Sequence, residues 1–130
     1  MSGEQASVTG VWNGLFTYPD GVDPGHFVAT LLEFGGSLSG TTHEPNLWNA
    51  DITLFATLNG SRVEDSVRFV KTYDGSGGWS HAVDYEGRLS GDRSEIEGVW
   101  TIPGQWSGRF LMIRAGRAVT AERREAFAKA

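Results

Sequence analysis

The five residues Trp12-Asn13-Gly14-Leu15-Phe16 near one end of the chain return as Trp106-Ser107-Gly108-Arg109-Phe110 near the other. Around the first copy, the even positions Val8, Gly10, Trp12, Gly14, Phe16 and Tyr18 are large or glycine. The odd positions Thr9, Val11, Asn13, Leu15 and Thr17 are smaller and more polar on balance. A period of two is the pattern of a half-buried strand, whose successive side chains point to opposite faces. First and last strands that match each other can lie side by side and close a sheet into a barrel. Glycine at the matched positions lets strands bend sharply or approach closely.

The chain between these ends reads as more strands. His26 to Phe34 is apolar on both faces, so its orientation stays open, and Gly35-Gly36 turns it into Ser37 to His43. A loop over 44–49 carries Trp48. Asp51 to Asn59 alternates cleanly, with Ile52, Leu54, Ala56 and Leu58 on one face, and Asn59-Gly60 signals a hairpin. Arg62 to Tyr73 puts Val63, Val67, Phe69, Lys71 and Tyr73 together. Asp74 to Gly78 is a loop tip followed by Trp79. His81 to Leu89 groups His81, Val83, Tyr85, Gly87 and Leu89, and the next strand groups Ile96, Gly98, Trp100 and Ile102. Ser90-Gly91-Asp92 and Pro103-Gly104 supply the remaining turns. The expectation is an all-β, about eight-stranded antiparallel up-and-down barrel, a meander without βα alternation. It forms one domain over residues 1–130, with strands over 8–114. Residues 119–129, VTAERREAFAK, read as a short C-terminal helix with Thr120 as its cap.

Composition narrows the function. Eighteen glycines suit many tight turns rather than helices. A formal charge of −5 argues against a nucleic-acid surface, which is normally basic. There is no cysteine, which excludes disulfides, thiolate nucleophiles and Cys-based zinc sites. The first ten residues lack the basic start and apolar core of a signal peptide, and no apolar run approaches the ~20 residues that span a bilayer. A soluble, cytoplasmic protein with no membrane span is expected. His26, His43 and His81 fall on different strands without metal-ligand spacing, so no metal or cofactor is expected.

Two internal echoes exist: Gly36-Ser37-Leu38-Ser39-Gly40 with Gly87-Arg88-Leu89-Ser90-Gly91, and residues 8–12 with residues 96–100. Convergence of similar hairpins and duplication both account for them. With the meander, Gly10-Val11-Trp12 resembles the G-x-W of the first strand of the calycins, the superfamily of lipocalins, fatty-acid-binding proteins and avidins. The lipocalin resemblance implies an arginine from the last strand over Trp12, with Arg114 favoured over Arg109, and a helix after that strand. The run from Val67 through Tyr85-Glu86-Gly87 to Ile96-Glu97-Gly98-Val99-Trp100 is similar to avidin, in which aromatics at the Tyr85 and Trp100 positions wall the biotin site. The polar half of that site does not carry over. A threonine stands where tyrosine is expected, and Ile113 or Arg114 takes the place of the essential aspartate. A biotin ureido group would be left unpaired, at high cost, so biotin is not expected.

The faces assigned inward collect Trp12, Phe16, Phe69, Tyr73, Tyr85, Trp100, Trp106, Phe110 and Met112. Such a set lines an apolar pocket or fills a barrel outright. Lys71 and Arg114 are the cations on those faces. If buried they need a partner or a ligand carboxylate; at strand ends they snorkel to water. Asp84, Glu86, Glu95 and Glu97 read as the solvated outer face. The reading is a binding protein that holds an apolar or amphiphilic small molecule in the barrel. Its contacts are drawn from Trp12, Phe69, Lys71, Tyr73, His81, Tyr85, Trp100, Trp106, Phe110 and Arg114. Two alternatives stand: a lyase or isomerase using His81 and Tyr85 as acid and base, and a filled barrel that binds protein partners, or forms a homodimer, through Trp48 and Trp79.

Overall fold

The computed structural model describes residues 7–19, 24–45, 49, 51–76, 81–116 and 127. Eight strands follow one another: β1 (Gly10–Phe16), β2 (Gly25–Phe34), β3 (Ser37–Pro45), β4 (Thr53–Val63), β5 (Ser66–Tyr73), β6 (Ala82–Leu89), β7 (Glu95–Ile102) and β8 (Trp106–Arg114). Each pairs antiparallel with the next, and β8 returns to β1 with Trp12 opposite Arg114 and Phe16 opposite Phe110, closing the barrel. Closure leaves no unpaired edge to recruit another chain. The matched ends of the sequence therefore form the seam.

The register defines two ends. The mouth gathers the end of β1, the start of β2, the end of β3 and the end of β5. The floor gathers Gly10, Phe34, Ser37, Ser66 and Arg114. Alternation sets the interior throughout: Leu54, Ala56 and Leu58 point inward on β4, and Val67, Phe69, Lys71 and Tyr73 on β5. On β2, where apolar residues occupy both faces, Phe27, Ala29 and Leu31 are inside, while Phe34 at the hairpin is 89% exposed.

Two boundaries differ from the sequence reading. Asn59-Gly60 is not a hairpin, because β4 runs through it with Gly60 opposite Phe69, and the chain turns at Glu64, whose φ is +54°. Gly60 serves close strand approach instead: a Cβ there would stand 2.5 Å from Phe69 Cα. Val63 accordingly ends β4 and is exposed rather than sharing the inward face of β5. The second difference is that β3 continues two residues past His43. That extension carries Glu44, expected in a loop, to an inward position.

At the floor, the Trp12 indole donates to the Val8 carbonyl at 2.9 Å, and the Arg114 guanidinium lies 4.5 Å over its ring. Arg114 also donates to the carbonyls of Arg93, Thr9 and Ser7. Outside the barrel, Leu15, Leu111 and Ile113 face away from the interior yet are buried, because Phe127 packs on them beneath the Arg109 guanidinium. The remainder of the helix expected over 119–129 lies outside the described residues, as do Trp48 and Trp79. Among the described residues, no helix is long and apolar enough to cross a membrane.

Candidate functional site: a buried ion pair beneath an aromatic mouth

Lys71 and Glu44 face each other inside the barrel. They come from β5 and β3, each one position in from its strand's mouth end or two, and β4 lies between them. Lys71 Nζ stands 2.5 Å from Glu44 Oε1, and the two side chains are 1% and 3% exposed. The Tyr73 hydroxyl donates to Glu44 Oε2 at 3.0 Å, and the Tyr85 hydroxyl oxygen is 3.5 Å from Nζ, at the limit of a hydrogen bond. The ammonium lies over the rings of Phe27 at 4.6 Å and Tyr73 at 4.9 Å, close enough for cation–π attraction. Sequence reasoning flagged Lys71 and its need for a partner. It missed the partner, although Leu38, Gly40, Thr42 and Glu44 share one parity on β3.

Burial sets the protonation behaviour of the cluster. It pulls the Lys71 ammonium below its ordinary value, with Glu44 opposing through its charge and hydrogen bond. The same desolvation, reinforced by the Glu44 charge, drives the phenols of Tyr73 and Tyr85 well upward and pushes Tyr18 up to about 12. The tyrosines are thus neutral donors at any physiological pH. His81, tilted against the Tyr73 ring at 4.9 Å, is held below its ordinary value by desolvation and then by the Lys71 charge.

Above the ion pair the mouth is aromatic. Tyr18 contacts Trp100 at 5.8 Å and Trp106 at 5.2 Å, and the two indoles meet edge to face. The Trp100 indole donates to the Thr17 carbonyl, and Gly108 makes room for its ring: a Cβ there would sit 2.7 Å from Nε1. Trp106, expected inside, is 37% exposed on the rim. Below the ion pair, Phe69 stacks on Tyr85 at 4.9 Å and Phe110 packs edge-on against it. The facing wall is built of small side chains. Thr42 lies between Ala29 and Ala56, and its hydroxyl is the buried side-chain polar atom without a hydrogen-bond partner among the described residues.

Of the ten residues singled out from sequence, the fold brings Lys71, Tyr73, His81, Tyr85 and Trp100 to the mouth half, with Trp106 on its rim and Phe69 and Phe110 beneath. Trp12 and Arg114 are at the floor, engaged with each other. Lys71 and Arg114 therefore do not share a site, and the ring against His81 is Tyr73. His26 and His43 point outward and line a groove of about 450 Å³ along β1 to β4, whose walls also include Glu44 and Ile113. No group of three or more potential metal ligands occurs among the described residues.

No protein-family description matches the chain, and no curated protein is similar to it. Among solved structures it resembles a redesigned β-barrel, with a TM-score of 0.70 and 14% identity over 87% of this chain and 96% of that one. At that identity the likeness concerns the fold alone: this chain folds as a closed eight-stranded antiparallel β-barrel.

Proposed function

We propose that the protein binds an apolar or amphiphilic small molecule in the mouth half of a calycin-like barrel. Its apolar part packs against Phe69, Tyr85 and Trp100, and its polar end meets Lys71, Glu44, Tyr73 and Thr42. The observation that carries this reading is the buried Lys71–Glu44 pair. Exchanging such a pair for apolar residues of similar volume is often neutral or stabilising, so its presence in an otherwise apolar interior is poorly explained by stability. The unpartnered Thr42 hydroxyl beside small Ala29 and Ala56 points the same way, since buried polar groups normally find partners. The aromatic rim adds an apolar surface at the entrance.

Native mass spectrometry of protein purified from its host, followed by identification of released molecules, tests the reading. Thermal-shift measurements across fatty acids and aromatic amphiphiles accompany it. A bound ligand, or a stabilisation that Thr42→Val and Lys71→Met reduce, is expected. A clean apo mass with no stabilisation by any member of the panel refutes it.

A further inference from the structure

The chain has 11 cationic side chains, and the sequence shows that only Lys71 and Lys129 among them are lysines. Every other cation on the described strands is arginine. Arginine would suit an internal ion pair better, because the guanidinium is weakly hydrated and matches a carboxylate with two parallel hydrogen bonds. What lysine offers instead is an amine that can release its proton and attack carbon. At position 71 this amine has a carboxylate 2.5 Å away, a phenol 3.5 Å away, and aromatic rings of Phe27 and Phe16 around it.

We propose that Lys71 takes the carbonyl carbon of an aldehyde ligand into a reversible imine, with Glu44 carrying the protons. The inference rests on the ligand-binding reading above and names the ligand class. The Lys71 ammonium passes a proton to Glu44 Oε1, and the freed lone pair forms the N–C bond at the carbonyl carbon. The amine proton moves to the former carbonyl oxygen, giving a carbinolamine. Protonated Glu44 then returns its proton to that hydroxyl, which leaves as water while the nitrogen lone pair forms the C=N bond. Ammonium and aldehyde become iminium and one water, Glu44 is again a carboxylate beside a cation, and nothing is oxidised or reduced. Tyr85, which burial keeps protonated, is placed to donate to the carbonyl oxygen during attack. Tyr73 fixes Glu44 through its other oxygen. The surrounding rings keep out the water that would hydrolyse the imine.

The scarcity of lysine makes the test clean. The full chain is incubated at pH 7 with trans-cinnamaldehyde and sodium cyanoborohydride, and adducts are mapped by peptide mass spectrometry at Lys71, Lys129 and the α-amine. Cinnamyl alcohol serves in parallel as the non-covalent analogue in thermal shift. Lys71 is expected to be labelled faster than Lys129 even though it is buried, since burial pulls its ammonium below the ordinary value and eases release of the proton to Glu44. Lys71→Arg keeps the cation and is expected to lose this adduct. In urea, where burial is gone, the two lysines should label alike. Stabilisation by the alcohol without an adduct at Lys71 overturns the imine and leaves the binding reading standing. Labelling confined to Lys129 and the α-amine, with no stabilisation by either compound, overturns both.

Discussion

Removing the carboxylate while keeping its shape, Glu44→Gln, isolates the electrostatics of the interior. The change leaves the Tyr73 hydroxyl an acceptor but strips a fully buried ammonium of its counter-charge. Breaking a buried pair from one side costs about 3–5 kcal/mol, a large share of the roughly 5–15 kcal/mol that holds a domain folded. With a urea m-value of about 2 kcal/mol/M, a loss of about 4 kcal/mol moves the midpoint down by about 2 M. The loss also has a pH signature. Both influences that raise the Lys71 pKa come from Glu44, so burial alone remains in the variant and pulls the folded-state value further below the unfolded one. Between those two values the unfolded chain binds the extra proton, so stability rises with pH, by up to about 1.4 kcal/mol per unit. Glu44→Gln should therefore gain stability as pH rises from the depressed folded value toward the ordinary lysine value of about 10.4, while the apolar double variant Glu44→Leu/Lys71→Met should show no such rise and lie within about 1 kcal/mol of the parent or above it. Urea titrations of the three proteins at several pH values decide the matter. A Glu44→Gln loss below about 1 kcal/mol with a flat pH profile would mean that Lys71 reaches solvent, and the account of the interior would fail.

Three further outcomes follow from the geometry. Gly108→Ala drives a methyl into the Trp100 ring and the Thr17 carbonyl and should cost about 1–3 kcal/mol or more, whereas Gly91→Ala, with nothing within 4 Å, should stay within about 0.5 kcal/mol; equal midpoints in denaturant would reject the packing described at the mouth. Arg114→Met removes the cation over Trp12 and three charged hydrogen bonds, and should lower stability by about 2 kcal/mol without altering ligand response at the opposite end, as thermal shift would show. The His81 imidazole should titrate below 6.5 by NMR, and stability should fall as pH drops from 6.5 through that value, because the unfolded chain then binds the extra proton; a midpoint above 6.5 would contradict its desolvation next to Lys71.

The barrel and its seam were legible because alternation and the two W-x-G-x-F stretches act locally and repeat. Asn59-Gly60 misled because glycine has two uses that sequence cannot separate, a tight turn and a close approach of backbones; here Phe69 across the ladder requires the second. On β2 the outward Leu32 and Phe34 hid which face was inside. Lys71 stood out as a cation among inward apolar residues. Glu44 did not, since its inward neighbours on β3 are Gly40 and Thr42 and a proline follows it, so the stretch looked like a loop. The partner of a buried charge is set by ladder register, with β4 lying between the two strands, and register is a property of the assembled sheet.

That same assembly imposes an order of events in time. Every hairpin joins neighbours in the chain, but the seam joins partners far apart: Thr17 meets Arg109 across 92 residues and Ser7 meets Arg114 across 107. Bringing such distant segments together costs about 4 kcal/mol of loop entropy beyond the constant for any contact. The expected order is therefore a meander that forms first as an open, curling sheet and a β1–β8 seam that zips last and limits the rate. Pulse-labelled hydrogen exchange would show this as late protection of the seam amides, and protection arising everywhere at once would reject it. Until that final step the chain carries two naked edges, each ready to pair with the wrong copy.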